Sequence, residues 1–118
     1  MAHRQTTIET GTRAETGAAA ALEAAGYRIV ERNYRCKAGE LDIIARDGDI
    51  LAFVEVRSRA DDAHGHAAEM VSPTKRRQVA RIAAHYLALE RPEIDQVRFD
   101  VVAITGGTVD VIKDAWRL

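Results

Sequence analysis

The sequence predicts an α/β sandwich: a central mixed five-stranded sheet flanked by helices, in the order α-β-β-β-α-β-β. Three observations carry this. Segments rich in β-branched and aromatic residues recur at Tyr27–Tyr34, Gly39–Arg46, Ile50–Ser58, Val97–Thr105 and Thr108–Ile112. Asp47-Gly48-Asp49 and Gly106-Gly107 join two pairs of these segments closely enough for hairpins. Stretches with helical spacing stand before the first strand and between the third and fourth, where a helix can bridge strands that do not meet in a hairpin.

Each element has its own signal. About residues 1–10 read as a disordered lead-in. From Thr12 to Ala25 alanine, the best helix former, dominates. Ala14, Ala18, Ala21, Leu22 and Ala25 fall on a small-residue face suited to lying close on a sheet, and Gly26 supplies the stop. Residues 59–71 carry Asp61, Asp62, His64, Gly65 and His66 without a period and read as a mobile loop. His64 and His66 have no nearby third ligand, so zinc is not expected. Ser72-Pro73 gives an N-cap followed by proline at the first helical position, and that helix is expected to reach Leu89. Val79, Ile82, Ala83, Tyr86 and Leu87 or Leu89 form its apolar stripe, and Arg91-Pro92 ends it. Asp100, between Phe99 and Val101, is assigned a structural role, and Trp116 is expected to pack as a cap in the tail.

The 118 residues suit one domain, residues 1–118, with a real core. Hydrophobic residues at 47% and charged residues at 30% argue against a disordered chain. A net charge of -1 excludes gripping nucleic acid by bulk positive charge, so such binding must come from local clusters of Lys and Arg. The single cysteine, Cys36, makes no internal disulfide and no zinc signature, which points to a reducing cytoplasm. No signal peptide is expected. No run approaches the roughly 18 apolar residues of a membrane span, so the expected protein is soluble and cytoplasmic, without a membrane or a small-molecule cofactor.

Chemistry concentrates in the second and third strands. Alternation sets Glu40, Asp42 and Ile44 on one side of the second and Phe53, Glu55 and Arg57 on one side of the third, with Leu41, Ile43, Val54 and Val56 facing away. Any two- or four-residue turn puts Asp42 and Glu55 on the same face. A turn centred on Gly48 and Asp49 sets Asp42 opposite Glu55 and Glu40 opposite Arg57, with opposed Cβ atoms about 4.5–5.5 Å apart. Two facing carboxylates repel and call for a cation. Mg²⁺ (or Mn²⁺) is one candidate, because it takes one or two carboxylates and keeps waters for a phosphate; Arg57 and neighbouring arginines are the other. The same four charges also suit a solvated polar face with cross-strand ion pairs.

The segment GELDIIARDGDILAFVEVRSR resembles the central signature of the YraN-like family of small bacterial proteins, grouped with the restriction-endonuclease-like PD-(D/E)XK nucleases. Gly11-x-x-x-Glu15, GYRIVERNYR, Val71-x-x-x-Lys75, Tyr86-Leu87 and Arg98–Val102 extend the likeness over nearly the whole chain. The resemblance implies a restriction-endonuclease-like core with metal-binding carboxylates at the centre of the sheet. Asp42 matches the central aspartate and Glu55 the acid of the E-x-K element. Glu15 resembles the first-helix glutamate of resolvase-like branches, and the Val56 carbonyl is expected to complete the metal shell. Arg57 stands where lysine is usual. A guanidinium cannot accept a proton, so Arg57 is expected to stabilise phosphoryl charge. The base is then water acidified by Mg²⁺ or held by Glu40.

Lys75, Arg76, Arg77 and Arg81 open the second helix with no acid among them, where cations oppose the helix dipole. Lys75, four residues before Val79, is expected to face the sheet and bind phosphate. With Arg46, Arg57 and Arg59 these residues suit a basic rim around an acidic centre, although a mixed-charge surface would also contain them. The expected activity is a metal-dependent endonuclease acting on DNA, branched DNA included, and resolvase-like branches imply a homodimer. The alternative is a weak or inactive binding module for nucleic acid or protein that keeps the scaffold.

Overall fold

Two helices enclose one sheet in the computed structural model, which describes residues 14–59 and 71–117. The elements are α1 (residues 14–24), β1 (Arg28–Cys36), β2 (Gly39–Asp47), β3 (Ile50–Arg59), α2 (Pro73–Glu90), β4 (Gln96–Thr105) and β5 (Thr108–Trp116). The five strands lie side by side in chain order. Hairpins make β1–β2, β2–β3 and β4–β5 antiparallel, whereas α2 carries the chain across the sheet so that β4 runs parallel to β3. The mixed sheet and the α-β-β-β-α-β-β order are those the sequence predicts. Among the described residues no helix is long and apolar enough to cross a membrane.

Each helix seals one face. Alanines let α1 approach closely: Ala18, Ala19 and Leu22 pack with Tyr27, Ile43, Ala45, Ala52, Val54 and Val102. Ala25, expected on that face, lies past the end of the helix and is exposed. There Gly26, at φ +97°, turns the chain, and the Tyr27 N–H reaches back to the Leu22 carbonyl. The lead-in expected over about residues 1–10, the helix start expected at Thr12 and the His64-x-His66 loop fall outside the described residues.

On the other face, α2 buries Val79, Ile82, Ala83 and Tyr86 against Leu41, Ile44, Leu51, Phe53, Phe99 and Val101. The Ser72 hydroxyl accepts the Lys75 N–H at 3.1 Å, Pro73 fills the first turn, and Arg91 closes the helix in the left-handed region at φ 45°. Of the two leucines offered for the stripe, Leu87 is half-buried and Leu89 is exposed.

Two expectations are corrected. Leu41 and Ile44, three residues apart, share the α2-side core, while Ile43 and Ala45 belong to the α1 side. Strict alternation had grouped Leu41 with Ile43. The slip falls at Asp42, level with Asn33 on β1, which adopts φ +54°. Second, β5 does not stop at Ile112. It continues to Trp116 past a register shift at Asp114, φ +56°, and Trp116 stacks on Phe99 with ring centroids 5.2 Å apart. Lys113 and Asp114 break the apolar pattern, but acids distant in sequence hold them: Lys113 Nζ lies 3.0 Å from Asp47, and the Asp114 N–H donates to Asp100 at 2.9 Å.

Candidate active site

The β2–β3 hairpin closes through Asp47 and Ile50, with Gly48 at φ +64°, and its ladder runs as far as Ile43 and Val54. One step further Asp42 would face Glu55, the register expected from the turn. The ladder does not continue. The slip in alternation turns the Asp42 carboxylate toward β3, where its Oδ2 accepts the Val56 N–H at 2.8 Å. In an extended strand a residue's N–H and C=O point to the same neighbour, so the Val56 carbonyl is turned toward Asp42 as well.

Glu55 is 3% exposed. Arg57 Nη2 lies 3.5 Å from its Oε2 and Lys75 Nζ lies 3.8 Å from its Oε1. Neither is the short, aligned contact of a strong hydrogen bond. Glu55 Oε1 and Arg57 Nε are buried and, among the described residues, have no hydrogen-bond partner. Burial, and after it the Asp42 charge, pushes the Glu55 carboxyl up to about 7. Burial also raises the Asp42 carboxyl, the Val56 N–H works against it, and the Glu15 charge adds to the rise. A buried carboxylate and a half-buried one thus repel each other beside cations too distant to satisfy Glu55.

Three further residues come toward this centre. Lys75 is delivered by the first turn of α2, whose cap fixes its backbone. Glu15 on α1 is close enough to act on Asp42 electrostatically, and is itself 3.8 Å from Arg32 Nη2. Arg57 reaches Glu55 from two residues along β3.

Other expected residues lie elsewhere. Glu40 does not meet Arg57; it pairs with Arg35 on β1 at 2.8 Å, because the β1–β2 ladder continues where β2–β3 has ended. Arg46 sits four residues along β2 from Asp42, about 13 Å at the usual strand rise. Its Nη2 donates to the Glu93 carbonyl at 2.7 Å, beyond the far end of α2. Arg76 folds back so that its Nε donates to the Val71 carbonyl at 2.8 Å. Arg77 is exposed and touches the Thr74 hydroxyl at 3.4 Å. The side chain of Arg59 is outside the described residues. Among the described residues, no three His, Cys, Asp or Glu side chains are gathered as a metal cage. Sequence reasoning passed over Arg32, Arg35 and Lys37; cations along β1 and in its turn, facing a strand with three acids, were the available signal.

A family model described as "Uncharacterised protein family UPF0102" matches residues 14–104. A UPF0102 protein of Syntrophus aciditrophicus (strain SB) is 48% identical over 115 residues, covering 94% of this chain and 91% of that one. One from Chlorobaculum tepidum is 50% identical over 101 residues, covering 85% and 78%, and one from Dechloromonas aromatica (strain RCB) is 46% identical over 111 residues, covering 94% and 91%.

Proposed function

The chain belongs to the UPF0102 family, the one its motifs resemble, and from that premise we propose that it is a Mg²⁺- or Mn²⁺-dependent endonuclease acting on DNA. The observation that carries this reading is Glu55 Oε1, a buried carboxylate oxygen without a hydrogen-bond partner among the described residues, within electrostatic reach of the Asp42 carboxylate. Such an atom costs about 1–3 kcal/mol or more when left unsatisfied. A divalent cation removes both that cost and the repulsion.

The donors fit such an ion. Asp42 and Glu55 would hold it with the Val56 carbonyl, and Glu15 would stand in an outer position; hard oxygen donors of this number suit an ion that keeps several waters. Bound there, Mg²⁺ or Mn²⁺ supplies charge against a phosphoryl oxygen and acidifies a neighbouring water. Arg57, always protonated, neutralises charge on the transferring phosphoryl group and takes no proton. Lys75, on the other oxygen of Glu55, binds a phosphate oxygen. Glu40 is left out of the scheme by its pairing with Arg35.

Duplex, branched and single-stranded DNA incubated with and without Mn²⁺ test the reading. Cleavage is expected only with metal and is lost in Asp42→Ala and Glu55→Ala. Calorimetry that finds no Mn²⁺ binding removable by Asp42→Ala overturns it. DNA binding without cleavage would favour the second reading, a binding module; the Arg57 contact, which partly neutralises Glu55, is the observation on its side.

A further inference from the structure

The candidate site lies beside a surface on which, among the described residues, most of the cations have no acid partner. In α2 the first turn carries no acid and the last turn no base, the reverse of what the helix dipole favours. Arg77 and Arg81, one turn apart and both exposed, are on the flank next to Gln78. Contacts fix where that flank points. Gln78 Nε2 donates to the Ala38 carbonyl at 3.0 Å, and a side chain on Gly39, φ +135°, would collide with the Gln78 amide. Tyr34 meets Tyr86 edge-on at 5.3 Å on the same side. The α2 flank is therefore clamped to the tip of the β1–β2 hairpin, where Arg35 and Lys37 are exposed. Of these four cations, Arg35 is paired with Glu40; among the described residues no acid pairs with Lys37, Arg77 or Arg81. Three to four like charges on one small surface repel one another, in a chain whose net charge is -1.

The aromatic residues define what this surface lacks. The chain has three tyrosines, two phenylalanines and one tryptophan. Tyr27, Tyr86, Phe53, Phe99 and Trp116 are buried, and Tyr34 is half-buried against Tyr86. No ring is left to stack on an unpaired base, the interaction by which single strands are usually held.

We propose that the β1–β2 hairpin tip and the adjoining flank of α2, through Lys37, Arg77, Arg81 and Arg35, form a phosphate track that seats duplex DNA beside the Asp42–Glu55 centre by its backbone, without reading bases. Building on the nuclease reading, this names the form of its substrate and the route by which it arrives. Binding is then salt-dependent and insensitive to sequence.

Fluorescence anisotropy of a labelled duplex, titrated with the full chain in EDTA at several salt concentrations, tests the track. Lys37→Gln/Arg77→Gln/Arg81→Gln is expected to weaken duplex binding at least tenfold and to lower the slope of log K against log salt by about 1 per cation. Arg28→Gln/Arg117→Gln removes two exposed cations away from the track and should change neither quantity. A single strand of the same length should bind more weakly than the duplex. Unchanged affinity and slope in the triple variant overturn the track, as does tighter binding of the single strand. The two readings fail separately. A duplex that binds through the track but is not cut with Mn²⁺ refutes the nuclease alone; metal-dependent cutting that the triple variant retains at wild-type affinity refutes the track alone. Circular dichroism melts confirm that the variants are folded.

Discussion

Glu55 and Asp100 are the two acids buried among the described residues, on the adjacent parallel strands β3 and β4, and their surroundings differ in every respect that matters for a charge. Asp100 receives the Tyr27 hydroxyl at 2.6 Å, Arg98 through Nε at 2.8 Å and Nη2 at 2.9 Å, and the Asp114 N–H at 2.9 Å. Arg98 extends the network to Asp47 at 2.8 Å, where Lys113 joins at 3.0 Å. Hydrogen bonds from Arg98 and Lys113 hold the Asp47 carboxyl below its ordinary value, while burial and then the bond to Asp100 raise the Tyr27 hydroxyl. Glu55 has cations at 3.5 and 3.8 Å and a second carboxylate for a neighbour. A buried acid with all its donors in place ties β4 to β5 and to the end of α1; one without them keeps an electrostatic cost, and on that cost the proposed metal site rests.

The largest test of this contrast is Arg98→Ala. It leaves Asp100 charged, buried and without its ion partner, and is expected to cost about 3–5 kcal/mol in urea unfolding. Mn²⁺ binding by the folded protein should be unchanged; a loss below about 1 kcal/mol would mean that Asp100 is no better supported than Glu55.

Glu55→Gln should have the opposite sign. The Glu55 carboxyl titrates near 7 in the folded protein against an ordinary 4.5, so the folded state binds the proton more tightly. Metal-free wild type therefore loses stability as pH rises from about 4.5 to 7, by on the order of 3 kcal/mol in all. The Gln variant lacks this loss, so in EDTA it should match wild type at pH 4 and exceed it at pH 8. Parallel profiles for the two proteins would remove the case for a frustrated carboxylate.

Tyr27→Phe deletes one of the donors to Asp100 and is expected to cost about 1–3 kcal/mol with no effect on cleavage. Ser72→Ala removes the cap that fixes the turn bearing Lys75 and should cost about 1 kcal/mol, together with a measurable fall in DNA affinity. The smallest expected stability change is for Arg57→Lys, within about 0.5 kcal/mol since Arg57 is partly exposed. Cleavage should be kept or raised; complete loss would assign Arg57 a two-pronged contact that lysine cannot make.

What the sequence determined by itself was local. β-branched runs, the Gly48 turn and the Ser72-Pro73 cap each depend on residues a few positions apart, so they were legible and placed Asp42 and Glu55 on neighbouring strands, although the ladder ends one step before it would pair them. Lys75 could be turned toward the sheet from helical spacing alone. Tertiary structure decided the rest, because the deciding partners are distant along the chain. Asn33 and Asp42 slip together and move Leu41 to the other core, which alternation within one strand does not reveal. Asp47 and Asp100 carry β5 past the polar Lys113-Asp114 step. Arg35 takes Glu40 away from the site, Glu93 takes Arg46, and the Gln78–Ala38 clamp brings hairpin and helix cations onto one surface. Above all, Glu55 Oε1 is left without a hydrogen-bond partner among the described residues by the distances of Arg57 and Lys75, and a distance between side chains exists only once the sheet and α2 have packed.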